Sequence, residues 1–259
     1  MNEFTLYNAP QSTCSQRVRF VLNAKSLPFE EHKLDLFNGD QLKPSYLNIN
    51  PNGVVPALIH NGQPVLDSSV IIEYLDEIHP DTVSFTPHDA AQRARMRWMM
   101  RYIDEIPTPS VRVPSYNLAF LPHFQKMSEE AFMALANSKP LRKEFLLSMG
   151  RTGFPQKEMD QALDRLNRAV VRMNEWITES GGPWLMGKHP TLADVAIMPV
   201  IVRMDDINLY SSWADKPKIA FWLESIRTQP AFKPTYYFGS LLTEKYPHLA
   251  TLRDSRVSV

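Results

Sequence analysis

Residues 50–76, NPNGVVPALIHNGQPVLDSSVIIEYLD, constrain the chain more than any other stretch. Asn50-Pro51-Asn52-Gly53 reads as a turn, because proline fixes φ and Asn and Gly tolerate positive φ. Val54 to Ile59 is a short apolar run of strand type, Asn61-Gly62 is a two-residue hairpin signal, and Pro64-Val65-Leu66 is the returning strand. Asp67, Ser68 and Ser69 supply cap side chains for a helix whose apolar positions are Val70, Ile71, Tyr74, Leu75 and Ile78. Pro56 is out of place inside a strand, since it removes a ladder donor. A cis Val55–Pro56 bond would turn the Val55 N–H and C=O outward, where a second peptide in extended form could pair with them. Asp67 and Ser68 stand at a helix N-terminus, which attracts a carboxylate through its free N–H groups and dipole. By itself the stretch also fits a plain hairpin leading into a helix.

The rest of the chain supplies a matching frame. Phe4 to Tyr7 reads as a first strand, Ser12-Thr13-Cys14-Ser15 as the hydroxyl-rich entry to a helix through Ala24, and residues 27–36 as a second strand. The order is strand, helix, strand, short helix, two strands, helix. Residues 78–89 carry turn formers and little periodicity, so a linker is expected at 81–89, between an N-terminal domain at 1–80 and an all-helical domain at 90–259. The fold class expected is α/β plus all-α. Helices are predicted over 90–105, 127–138, 140–151 and 155–180, with the proline-dense residues 107–122 interrupting or kinking the run. Thr191 and Asp194 read as a capping box opening a very apolar helix, a structural role rather than a catalytic one.

Composition narrows the function classes. Lys and Arg number 28, as do Asp and Glu, which argues against a dedicated nucleic-acid or anionic-membrane surface. The arginines between 93 and 101 fall at helical spacing and read as a solvated or interface face. No apolar run is long enough for a transmembrane span, and the N-terminus has no signal-peptide pattern. One cysteine excludes an intrachain disulfide and a cysteine-based metal cluster, and the histidines show no metal-ligand spacing. The expected location is the cytoplasm, with no metal.

The set Val55-Pro56-Ala57-Leu58, Asn61-Gly62 and Asp67-Ser68 resembles the glutathione-binding half of the soluble glutathione transferases, in the same order and spacing. That resemblance implies an N-terminal thioredoxin-like domain, a C-terminal helical bundle domain, glutathione as cosubstrate, and a dimer with itself or with a related chain. It also implies that Val55 and Pro56 hold the cysteinyl part of glutathione, that Asp67 and Ser68 hold the γ-glutamyl part, and that Gln41 or Lys43 reaches the glycine carboxylate.

In this family a hydroxyl or thiol near the end of the first strand holds the glutathione sulfur. A free thiol has a pKa near about 8.5, and lowering it by about two units corresponds to roughly 2.7 kcal/mol. Ser12-Thr13-Cys14-Ser15-x-Arg17-Val18-Arg19 is similar to the zeta-class serine motif, which maps the acting residue to Ser12. Cysteine-type classes map it to Ser12 or Cys14, and the bacterial β-etherases to Ser15. Ser12 is favoured, ahead of Ser15 and Cys14. Ser15 also reads as a helix cap and Cys14 as a small core residue. The second substrate, a hydrophobic and aromatic electrophile, is expected against Tyr116, Asn117, Phe120, Met149, Tyr236 and Tyr237. The region 126–155 resembles an insertion of the glutathione-dependent β-etherases, which points to cleavage of a β-aryl ether. The alternatives are a zeta-like cis–trans isomerase and a non-catalytic glutathione-binding protein of the same fold.

Overall fold

The computed structural model describes residues 3–254; residues 1–2 and 255–259 of the expected domains lie outside the described residues. A four-stranded sheet is built from β1 (Phe4–Asn8), β2 (Phe29–Lys33), β3 (Ala57–His60) and β4 (Gln63–Leu66), in the order β2-β1-β3-β4. β1 pairs parallel with β2 and antiparallel with β3, which pairs antiparallel with β4. The helices of this half are α1 (Thr13–Ala24), the short α2 (Pro44–Leu47) and α3 (Ser68–Ile78). This is the thioredoxin-like arrangement, and helices follow it to the end of the described chain.

The local signals act as their chemistry requires. The Val55–Pro56 peptide is cis. Asn61 (φ 49°) and Gly62 (φ 77°) form the hairpin turn, with positive φ at both central positions and His60 opposite Gln63. Asp67, at φ 71°, caps α3 by accepting from the N–H groups of Ser69 (2.9 Å) and Val70 (3.2 Å).

The helical half contains α4 (Ala90–Glu105), α5 (Pro107–Ser115), α6 (Leu121–Gln125), α7 (Glu129–Asn137), α8 (Lys143–Met149), α9 (Gln156–Ser180), α10 (Leu192–Asp206) and α11 (Pro217–Arg227). Three short helices follow, α12 (Phe232–Thr235), α13 (Leu242–Lys245) and α14 (Ala250–Asp254). The proline-dense segment departs from expectation: the break falls at Ile106, and residues 107–125 are helical throughout. Pro107 and Pro109 stand in the first turn of α5, where the missing N–H groups would have no intrahelical partner. Between α5 and α6 lies a π-helical turn, Tyr116–Phe120.

One apolar core runs through both halves. Leu6, Leu58, Ile71 and Leu75 of the sheet half belong to the same cluster as Met99, Ile103, Val195 and Trp222 of the helices. The α4 arginines are largely committed: Arg97 pairs with Glu73 (2.9 Å) and Glu77 (3.5 Å), and Arg95 with Glu179 (3.0 Å). No helix among the described residues is long and apolar enough to cross a membrane.

A buried ion pair fixes the passage between the halves. Lys25 Nζ lies 2.8 Å from Asp76 Oδ1 and donates to the carbonyls of His79 and Val83 and to the Thr82 hydroxyl. Asp76 in turn accepts from the Phe85 N–H. Removing one partner of such a pair strands the other charge in a dry site. Lys25→Met is expected to lower the free energy of unfolding by about 3 kcal/mol, read as a shifted denaturation midpoint at unchanged slope.

Candidate active site

The entry to α1 carries the chemistry. Ser12 is its N-cap, in extended backbone, and its Oγ accepts from the Ser15 N–H at 3.2 Å. A hydroxyl that accepts in this way keeps its own hydrogen free to donate. Thr13 and Cys14 form the first turn, and with Ser12 they line a cavity between the sheet half and the helices. The positive end of α1 therefore opens on that cavity, a setting that favours a thiolate.

The sheet-side wall is Gln11, Leu36, Phe37, Gln41 and Asn52 to Val55. Tyr46 Oη (2.6 Å) and Asn50 Nδ2 (2.8 Å) both donate to the Val54 carbonyl, which pins the chain as it enters the cis peptide. The β3 ladder begins only at Ala57, so Val55 stands outside the sheet pairing. Gln41 is buried; its Nε2 donates to the Leu36 carbonyl, while its Oε1 has no partner among the described residues. An unpaired buried acceptor and an unpaired peptide segment on one wall fit an extended peptide ligand.

The opposite wall comes from α5 to α8 and α10: Val111, Arg112, Ser115, Tyr116, Phe120, Phe124, Leu135, Lys139, Leu141, Arg142, Leu146 and Arg203. The π-helical turn sets both Tyr116 and Phe120 on the cavity, as wide turns commonly do at functional sites. The enclosed volume is about 160 Å³, below the roughly 300–1,000 Å³ of ordinary ligand pockets. It suits the reacting ends of two molecules better than the whole of both.

The structure brings together only part of the expected set. Ser12, Cys14, Gln41, Val55, Tyr116 and Phe120 line the cavity. Ser15 does not: it is 0% exposed, and its Oγ is enclosed without a partner among the described residues. Pro56 is buried behind Val55. Lys43 points outward, with a side chain 63% exposed and paired to Asp40 at 2.7 Å. Asp67 and Ser68 lie beyond the enclosed space, Asp67 at the surface and Ser68 accepting from Arg17 Nη1 at 3.3 Å.

Four of the expected substrate contacts are also absent from the cavity wall. Asn117 is a loop bracket whose Oδ1 accepts from the Phe154 N–H at 2.9 Å. Met149 is enclosed in a satellite core with Phe124, Phe132 and Phe154. Tyr236 stacks on Phe232, its hydroxyl buried without a partner among the described residues and its pKa raised by that burial. Tyr237 donates to Glu31 Oε1 at 2.6 Å, its pKa likewise raised by burial.

Sequence reasoning missed Phe37, Arg112, Lys139, Arg142 and Arg203. For Lys139 and Arg142 the only signal is the charge run around Pro140, which ordinarily reads as solvated; Phe37, Arg112 and Arg203 carry no local signal. The two arginines of the Arg17-Val18-Arg19 motif have structural work. Arg17, 1% exposed, donates to the Ala196 carbonyl, Ser68, Ser69, Asp104 (2.5 Å) and Thr108. Arg19 reaches the Thr235 carbonyl and Asn8. They hold α1, and with it Ser12, against the helical half and the tail.

Family models for the N-terminal and C-terminal domains of glutathione S-transferases match residues 6–83 and 157–254. A probable maleylacetoacetate isomerase of Caenorhabditis elegans is 30% identical over 227 residues, spanning 88% of this chain and 90% of that protein. The chain belongs to the glutathione S-transferase family. Glutathione is the cosubstrate this family uses. Protein LigF of Sphingobium sp. strain SYK-6 is 29% identical over 238 residues, 89% of this chain and 92% of that protein. The crystal structure of the β-etherase LigF from the same strain superimposes with a TM-score of 0.81 at 28% identity, covering 90% of this chain and 98% of that one. Every cavity residue from Val111 to Leu146 falls between the two matched regions.

Proposed function

We propose that this chain is a glutathione transferase that activates the glutathione thiolate for attack on a hydrophobic aromatic electrophile, with β-aryl ether cleavage as its reaction. The observation that carries the reading is the pairing of the Ser12 hydroxyl, at the N-terminus of α1, with a facing wall of Tyr116, Phe120 and Phe124. The likeness to LigF over most of both chains supports the choice of reaction.

In this reading Val55 pairs with the cysteinyl part of glutathione, Asp67 and Ser68 hold its γ-glutamyl end outside the enclosed space, and Ser12 donates to the sulfur. The thiolate forms a C–S bond to the carbon bearing the ether oxygen. The C–O bond breaks, and the aryl oxide leaves with the electron pair and takes up a proton. The protein supplies an ionised sulfur, a site with little water and positioning. The chain acts in the cytoplasm. It dimerises through α3 and α4, where Val70 (55%) and Trp98 (52%) are large apolar side chains left exposed.

The test is glutathione-dependent cleavage of a β-aryl ether ketone, followed by release of the phenol. Release at a rate well above the glutathione-only background is expected. Binding of glutathione without ether cleavage would sink the etherase reading. The isomerase reading rests on the 30% identity to the worm protein, and turnover of a maleyl substrate in the same assay series would favour it.

A further inference from the structure

The wall facing Ser12 carries three cations, Arg112 of α5 and Lys139 and Arg142 of the turn between α7 and α8. Among the described residues, no Asp or Glu lines the cavity with them. None of the three forms an ion pair with a carboxylate among the described residues; Arg142 donates one N–H to the Leu141 carbonyl at 3.0 Å. All are at least partly withdrawn from water. Burial, and next the charge of Arg142, pulls the Lys139 ammonium below its ordinary range. Burial, and next the charge of Arg112, does the same to Arg142. Like charges gathered in a partly dry site without counterions repel one another unless an anion joins them. Arg203 at the back of the cavity is different, because its guanidinium is committed to the Gln11 carbonyl, Ser115 and Asp206.

We infer that the second substrate carries a carboxylate, which Lys139, Arg142 and Arg112 receive while its aromatic body lies against Tyr116 and Phe120. The inference rests on the transferase reading and narrows its substrate class. Two features place the anion on the electrophile rather than on glutathione. The cations stand on the helical wall, across from the Val54–Val55 segment and Gln41. They also lie in the part of the chain that neither family model matches, where a chain's own substrate preference would be written. A planar guanidinium can grip a carboxylate through two parallel N–H bonds, and an ammonium beside it adds a point charge. The cavity so built selects an aromatic acid over its neutral counterpart.

The test uses binding, so that it stands whether or not an ether is cleaved. Naphthalene-2-carboxylate and naphthalene-2-carboxamide are titrated into the glutathione-saturated protein by calorimetry at neutral pH. The carboxylate should bind at least about tenfold tighter, a ratio equivalent to about 1.4 kcal/mol. Added salt should weaken it more than the amide. In Lys139→Gln/Arg142→Gln the preference should fall to within about twofold, with the glutathione affinity unchanged, whereas Arg142→Lys should keep most of it. Equal binding of acid and amide by the parent would overturn the inference. So would a preference that survives in the double variant, or a double variant that loses glutathione instead of the acid. Selective acid binding without ether cleavage would remove the etherase reading and leave the anion site standing.

Discussion

Ser12→Ala should reduce glutathione-dependent turnover at pH 6.5 by about 10²-fold, in line with the loss of one preorganised donor at a developing or resident anion. The Ser12 Oγ already accepts from the Ser15 N–H, so its hydrogen is the part free for sulfur. Without it the bound thiol reverts toward a pKa of about 8.5. The sign of the pH dependence follows. Two units below that value the variant holds only about 1% thiolate and the deficit is near its full size, and it shrinks steadily as the pH rises. Near pH 9 most of the thiol ionises unaided, and the deficit should shrink to several-fold. A deficit that stays constant from pH 6.5 to 9 would assign Ser12 a structural role only. Alanine also removes a helix cap, worth about 1 kcal/mol, so the thermal midpoint must be measured beside the rate. Ser15→Ala provides the contrast. Its hydroxyl is enclosed, without a partner among the described residues and away from the cavity wall, and its loss should leave the pH profile in place.

The parts of this architecture that a reader of the sequence can find are those written in local chemistry. Pro56 inside an apolar run, Asn61-Gly62 between two strands, and Asp67 ahead of a helix each limit φ and ψ or satisfy N–H groups within a few residues. Their geometry follows without knowledge of distant contacts. The same holds for the Thr191–Asp194 pair, whereas the cap of α1 is Ser12 and not Ser15, which reads as one from the sequence. What decides the cavity wall is long-range. Tyr116 and Phe120 face it and Asn117 between them does not, because one π-helical turn sets their directions and Asn117 is taken up by the Phe154 N–H 37 positions away. Met149 has the size and polarity of a pocket residue, yet the folding of α7 and α8 onto Phe124 encloses it. Lys139 and Arg142 carry the composition of a solvated turn. Only the packing of that turn over the cavity withdraws them from water. Prolines 107 and 109 misled for a different reason: the rule that proline breaks helices applies to the interior, and both stand in a first turn.

Asp194→Ala is the substitution with the largest expected effect on stability, and it acts far from the chemistry. Asp194 is 0% exposed and accepts four hydrogen bonds. Oδ1 takes the Leu185 N–H (3.0 Å) and the Trp222 Nε1–H (2.8 Å); Oδ2 takes the Thr191 N–H (2.8 Å) and hydroxyl (3.0 Å). Burial pushes the carboxyl up from its usual range, and the four donors pull it back. The side chain thereby joins the loop at 184–187, the start of α10 and the middle of α11, with Phe85 of the connecting segment held next to it by the Leu192 N–H. Alanine leaves all four donors unpaired in a dry core and opens a small void. Unmade bonds to a buried charge and a broken buried network together should lower the unfolding free energy by about 4 kcal/mol, or the melting temperature by roughly 10 °C for a chain of this size. Asn keeps one acceptor but turns an amide N–H₂ toward two donors of the other pair. Asp194→Asn should therefore fall between parent and alanine, at about 2 kcal/mol. Since Asp194 does not line the cavity, the protein that remains folded should keep kcat within about twofold. A variant with the parent's melting temperature would show that the four bonds contribute no more than the water they replace. A large loss of kcat at unchanged stability would place α10 in the control of the cavity rather than of the core.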